Sequence, residues 1–202
     1  FNIAPEFTFS PSTEDSLTLS GQYLTSRYEN NNSHTDYDVY SARFSWGHRL
    51  SEASTGFLNV DARRYEAQDS TEETVDSIGP SLGWRMVASE HLTTTLYAGM
   101  EASRQKRVGG AENNKWVWNN VFSGSVSYKD EQHDLTLSMS RQQQPYSNGS
   151  SSLLTSFSLK ERYRFNERFT GQVGGQYQRA KSSSLSSTNL KSRVTADTAL
   201  DY

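Results

Sequence analysis

Four histidines, two arginines one residue apart and an acidic cluster are the groups whose chemistry could set a function. His34, His48, His91 and His133 all fall at loop or turn positions, and no His, Asp or Glu stands at the spacing of a zinc site. Serine is abundant, but a Ser-His hydrolase needs both groups on adjacent strands at one level, and nothing in the spacing asks for that. The chain is therefore expected not to be an enzyme, and to use no cofactor and no metal. Asp69, Glu72 and Glu73 lie in an acidic loop that would suit calcium or a bridge to lipopolysaccharide, although solvated acidic loops are much commoner. Arg162 and Arg164 share one face of a strand beside a tight turn, which makes them the best candidates for contact with an anion.

These groups are positioned by a chain that alternates. Between Lys115 and Met139, Trp116, Trp118, Phe122, Gly124, Val126 and Tyr128 take every second position apart from Asn120. Lys129 to His133 turns the chain, and Leu135, Leu137 and Met139 resume the pattern. Asn119, Ser123, Ser125 and Ser127 face the other way, as do Thr136, Ser138 and Ser140, with Val121 as the exception. A period of two means strands with one apolar and one polar face.

The same grammar covers the rest of the chain. It predicts strands over 3–10, 16–28, 37–47, 55–65, 74–87, from Leu92 past Met100, 153–163, 169–177 and 190–202, about eleven in all with the central hairpin. Polar loops are expected over 29–36, 66–73, about ten residues through Gly109 and Gly110, 141–152 and 181–187. Asn30, Asn31 and Asn32, and the pair Asn148 and Gly149, read as turn formers.

Composition decides what the two faces touch. The chain has 202 residues, of which 33% are hydrophobic, and a mean hydropathy of -0.79. Leu, Ile and Val are too sparse to fill a core between two sheets, yet an apolar face one side chain thick is enough to meet lipid around a polar, wet interior. The predicted fold is all-β, an antiparallel up-and-down transmembrane β-barrel in a single domain. No run of about eighteen apolar residues offers a membrane helix. Cysteine is absent, in keeping with export to an oxidising envelope, and a formal charge of -3 says little about partners.

Short turns follow the first, third, fifth, seventh and ninth strands, and longer polar loops follow the even ones. That asymmetry belongs to bacterial outer-membrane barrels, with short turns in the periplasm and long loops outside. Phe1 is then expected at the cell surface and Tyr202 in the periplasm. An odd strand number points to twelve or more strands in the intact protein, with at least one preceding this stretch. Aromatic rings mark the two membrane interfaces: Trp46, Trp84, Tyr128, Phe169 and Tyr202 toward the short turns, and Tyr23, Tyr40, Trp116, Trp118 and Tyr177 toward the loops. The alternation turns Arg43, Arg63, Arg85, Lys160, Arg162, Arg164, Lys191 and Arg193 into the lumen, against Glu6, Asp61, Glu101, Asp197 and Asp201. Such a wall either draws anionic solutes or is tied up in ion pairs that rigidify it, and the residues leave both open. Tyr97, Gln172, Gln176, Gln178, Ser123 and Ser125 could hydrogen-bond sugar hydroxyls along it or equally just be wet.

Trp46-Gly-His-Arg-Leu-Ser-Glu, Leu82-Gly-Trp-Arg-Met and Tyr163-Arg-Phe-Asn-Glu-Arg-Phe resemble the repeated strand, turn, strand units of bacterial outer-membrane β-barrels associated with exopolysaccharide export. Tyr202 resembles the C-terminal aromatic of outer-membrane proteins, usually a Phe. The resemblance implies a passive conduit for an acidic or neutral polysaccharide, working with periplasmic and inner-membrane export partners. Those barrels are typically longer than this chain. Outer-membrane lipid and lipopolysaccharide are the expected surroundings, and no nucleic acid is expected. A structural or assembly barrel, its lumen plugged by or clamped on a partner protein, is the alternative.

Overall fold

The computed structural model describes residues 1–27, 36–68, 73–106, 115–145, 151–182 and 190–201. Its strands are β1 (Asn2–Ile3), β2 (Glu6–Phe9), β3 (Asp15–Ser26), β4 (Tyr37–Ser51), β5 (Ser54–Ala67), β6 (Thr74–Val87), β7 (Leu92–Lys106), β8 (Val117–Lys129), β9 (His133–Pro145), β10 (Ser151–Arg164), β11 (Thr170–Ser182) and β12 (Leu190–Asp201). All twelve lie in one antiparallel sheet in which each strand from β3 onward pairs with the next. β1 and β2 share the same edge of β3 in one continuous register, so they are one strand interrupted at Ala4-Pro5, where proline withholds a backbone donor. The eleven expected strands are therefore the eleven positions across the sheet. Its two edges, β1/β2 and β12, are not paired with each other, and they run in the same direction.

Several strands outrun their sequence boundaries. β4 continues through Arg49 to Ser51 with a register shift after Arg49, β5 ends at Ala67, and β7 reaches Lys106. Residues Arg141 to Pro145, expected in a loop, belong to β9 because the ladder with β10 continues from Arg141↔Thr155 to Pro145↔Ser151. Polar sequence there reflects distance from lipid, while backbone pairing carries on regardless of side chain. The connections after β2, β4, β6, β8 and β10 are residues 10–14, 52–53, 88–91, 130–132 and 165–169, two to five residues each, and those after β3, β5, β7, β9 and β11 are residues 27–36, 68–73, 107–116, 146–150 and 183–189, five to ten residues each. The expected features at Asn30 to His34, Asp69, Glu72, Gly109-Gly110, Asn148-Gly149 and Tyr202 lie outside the described residues.

Register makes the two faces continuous across strands. One ladder row runs Leu17, Trp46, Leu58, Leu82, Ala98 and Phe122, and another Leu96, Gly124, Met139, Phe157, Tyr177 and Val194. Large apolar residues of this face are exposed: Leu82 is 67% exposed, Val194 77% and, elsewhere on it, Trp118 59%. Residues of the opposite face are more often covered, as Asn59 at 6% and Ser77 at 7% show. A water-soluble fold does the reverse, so the apolar face is made for lipid.

The polar face is concave. Arg63 on β5 donates from Nη2 to the Gln143 carbonyl on β9, 2.6 Å away and four strands along. That carbonyl is accessible because β8 and β9 pair only from Phe122↔Arg141 downward and separate above it. On this side the expectation of a wholly wet interior fails. Tyr65, 2% exposed, gathers with Val39, Ala67 and Val75, with Leu24 and Tyr37 packed on them, into a small dry cluster near the long loops. Aliphatic and aromatic residues near four strand ends break the polar pattern there, and ladder register sets them side by side.

Two inner positions of β6 require glycine. A Cβ at Gly79 would stand 2.1 Å from the Met100 carbonyl oxygen, so β6 and β7 approach closely beside Pro80. A Cβ at Gly83 would stand 2.3 Å from Cε1 of Tyr97, whose ring covers that glycine and meets Phe57 at 6.0 Å between centroids.

Candidate functional site: the concave wall and its rims

The ladder gives each of the described cations a register partner. Arg43, Arg63, Arg85, Lys160, Arg162, Arg164 and Arg193 all sit in register with residues of the concave face: Ser20, Ser41, Thr55, Thr136, Gln172, Thr170 and Gln178 respectively. Lys191 pairs with Ala180 in the ladder, and its side chain lies outside the described residues.

The concave wall has two halves. Toward the long loops the charge is internally matched: Arg43 Nε lies 2.5 Å from Asp61 Oδ1, and Arg63 Nη2 lies 3.8 Å from Glu101 Oε1. These pairs and the Arg63 strut to Gln143 tie up the cations of this half. Toward the short turns the wall is open. There Lys129, Asp130, His133, Asp134, Arg162 and Arg164 line one depression, with Arg162 opposite Asp134 in the ladder. The Arg162/Arg164 pair thus gains a third cation, Lys129, and three carboxylates, Asp130, Glu131 and Asp134, from the β8–β9 hairpin, a convergence that strand spacing alone does not show. Tyr97 spends its face on Gly83, so it is a packing residue of the wall.

The turn at this rim is built by side chains. Asp130 Oδ1 accepts from the backbone N–H groups of Gln132 at 2.8 Å and His133 at 2.7 Å, and its Oδ2 accepts from the Tyr128 hydroxyl at 2.9 Å. The two backbone donors, His133 first, hold the Asp130 carboxyl below the usual carboxylate range. The rim histidines are committed likewise: His48 to Asp15 at 2.9 Å, His91 to the Lys129 carbonyl at 2.9 Å and His133 to Glu161 at 3.1 Å. Among the described residues no three His, Asp or Glu side chains are placed to hold a metal. Glu73, the described member of the acidic loop, is buried and accepts from Gln105.

On the apolar face the aromatic residues form two girdles. At the short-turn side Trp46 donates its indole N–H to Asp15 at 3.0 Å and Trp84 donates to Ser54 at 2.8 Å, while Tyr128 reaches Asp130. Each ring keeps its body in the apolar band and its polar tip at the wet rim, the arrangement an amphipathic ring takes at a lipid interface. Phe169 joins them, 41% exposed. At the loop side Tyr23 stacks on Tyr40 with centroids 5.1 Å apart, and Trp116, Trp118 and Tyr177 continue the band, all exposed.

Sequence reasoning missed a charged group on the outer face just beyond this upper girdle. Arg64, Asp76 and Arg104 follow Tyr23 and Tyr40 in a single ladder row across β3 to β7. The parity that pointed Leu58, Val60 and Ala62 outward does the same for Arg64, and that signal was available.

No family model matches the chain, and no curated protein matches it. Solved structures do. The FrpB iron transporter from Neisseria meningitidis superposes with a TM-score of 0.57 over 98% of this chain and 39% of its own, at 10% identity. The ferric-catecholate import receptor Fiu from E. coli K12 gives 0.48 over 98% and 48%, at 8% identity. The KdgM porin in complex with disordered oligogalacturonate gives 0.39 over 99% of both chains, at 7% identity. The fold is that of an outer-membrane β-barrel. The chain spans less than half of the first two structures, and in it the sheet stays open.

Proposed function

We propose that this chain forms part of the wall of a bacterial outer-membrane channel, with its long loops outside and its short turns in the periplasm, and that hydrophilic solutes cross along its concave face. The observation that carries the reading is the division of one sheet into a continuous exposed apolar face and a polar concave face whose cations gather toward the short turns. Backbone groups along an open edge cannot face hydrocarbon, so both edges are paired in the working barrel. Arg85, Lys160, Arg162 and Arg164 favour anions over cations in the periplasmic half of the lumen. Together with the resemblance to exopolysaccharide-export barrels, this makes an anionic polysaccharide the favoured solute and transport, not catalysis, the favoured role.

The test is conductance of the intact protein in a planar bilayer, with an anionic oligosaccharide added. A stable, anion-preferring pore that the sugar blocks supports the reading, and Arg162→Gln with Arg164→Gln then lowers both the preference and the block. A second reading, a lumen occupied by a partner polypeptide, is favoured by the Arg63 strut and the dry cluster around Tyr65, which narrow the loop-side half. A silent bilayer, together with a protein that co-purifies in fixed ratio, would sink the open channel and support this one.

A further inference from the structure

The outer face holds a site that the transport reading does not use. Arg64 Nε lies 2.7 Å from Asp76 Oδ1, Arg104 Nη2 lies 2.9 Å from Asp76 Oδ2, and Lys106 Nζ lies 3.7 Å from the same Oδ2. Three cations converge on one carboxylate, and the nearest further anion, Glu66, stands 3.9 Å from Arg64. The group keeps a net positive charge. Asp76 is largely covered, its side chain 12% exposed, while those of Arg64 and Lys106 remain 52% and 45% exposed. The cations therefore bury their counter-ion and present themselves outward.

Their level in the sheet says what they meet. Arg64, Asp76 and Arg104 continue the ladder row of Tyr23 and Tyr40, and the Arg104 guanidinium lies over the Trp116 ring, 4.8 Å from its centroid. On the same face Arg27, 45% exposed, pairs with Asp38 at 3.0 Å. At about 4.8 Å between strands, the stretch from β3 to β7 is roughly 19 Å wide. That is a cationic strip on the lipid side, just past the aromatic girdle and toward the long loops, where headgroups begin. Cations held there attract anionic headgroups, and a guanidinium suits phosphate geometry.

We propose that Arg64, Arg104 and Lys106, gathered by Asp76, bind the phosphate groups of a phosphorylated glycolipid of the outer leaflet, the lipid A part of lipopolysaccharide. The proposal rests on the membrane orientation proposed above. Asp76 acts as the positioning group: it holds the cations within reach of one another without cancelling them.

The test uses the intact protein, folded in detergent, with diphosphorylated lipid A, dephosphorylated lipid A and phosphatidylglycerol as probes, and retained lipid is read by native mass spectrometry. Arg64→Gln with Lys106→Gln leaves the Arg104–Asp76 pair in place and should weaken retention of lipid A about tenfold to thirtyfold. Asp76→Asn releases the three cations from their common anchor and should weaken it, and Asp76→Glu should restore it, a rescue that a diffuse patch of charge does not predict. Arg168→Gln, an exposed cation in the short connection 165–169 at the far end of the sheet, should change nothing. Equal retention of dephosphorylated lipid A, equal retention of phosphatidylglycerol, or indifference to the double substitution would each overturn the proposal. Protease protection in vesicles separates the two readings. A protein that fails to insert takes down the membrane orientation as well, whereas one that inserts without phosphate dependence takes down only this site.

Discussion

Leu82→Arg is the sharpest probe of the face assignment. Leu82 is 67% exposed in the outward band of β6, between Trp84 on one side and Ile78 and Asp76 on the other, with Leu58 and Ala98 beside it in the ladder. In water an exposed Leu→Arg change costs within about 0.5 kcal/mol. On the lipid face of a barrel, Arg in the interior of the bilayer costs about 2–4 kcal/mol. At 1.4 kcal/mol per decade, that is about 30- to 700-fold in the folding equilibrium. The comparison is Ser123→Arg, an exposed position of the concave face opposite Tyr97 and Ser140, which should stay within about 0.5 kcal/mol. The assay is urea titration of the intact protein in phospholipid vesicles, followed by tryptophan fluorescence. Equal midpoints for the two variants would refute the assignment of faces, and a larger loss at Ser123 would invert it.

The Asp130 latch gives a pH dependence. Its carboxyl is held low in the folded chain by the Gln132 and His133 N–H groups, so its contribution is complete above the ordinary carboxylate range and is lost as pH falls through the depressed folded value. The urea midpoint should fall below about pH 4, and Asp130→Asn should flatten that part of the profile; an unchanged profile would remove Asp130 from the account. Gly79→Val should separate β6 from β7, because its Cβ would stand 2.1 Å from a backbone oxygen, and we expect a cost of about 1–3 kcal/mol or more in the same titration. Arg63→Leu removes the reach to the Gln143 carbonyl and the Glu101 contact, so single-channel conductance should rise if this strut narrows the pore, and an unchanged value would place the constriction elsewhere.

Much of the architecture was legible because a strand announces itself locally. Side chains at i and i+2 share a face whatever the neighbouring strands do, so the run Trp118 to Tyr128 declared both its strand and its two faces before any partner was known. The alternation of turn lengths and the placing of Trp46, Trp84 and Tyr128 at one rim followed from chain order alone. Boundaries were less legible where composition turned polar. Arg141 to Pro145 looked like a loop because its side chains leave the lipid zone, yet its backbone still pairs with β10.

The tertiary structure decided everything that depends on curvature and on convergence across strands. Arg63 and the Gln143 carbonyl are 80 positions apart in the chain, and only the curl of the sheet brings them to 2.6 Å. Register, not curl, sets Leu24, Val39, Tyr65 and Val75 side by side in the dry cluster, and Lys129, Asp134 and Arg162 in the rim depression. It likewise gathers Arg64, Arg104 and Lys106 on Asp76, with three strands side by side at one level. The sequence by itself determined which side of each strand a residue occupies, because that is a matter of parity along one strand. Which residues meet was settled by register and curvature, properties of the whole sheet that no single strand encodes.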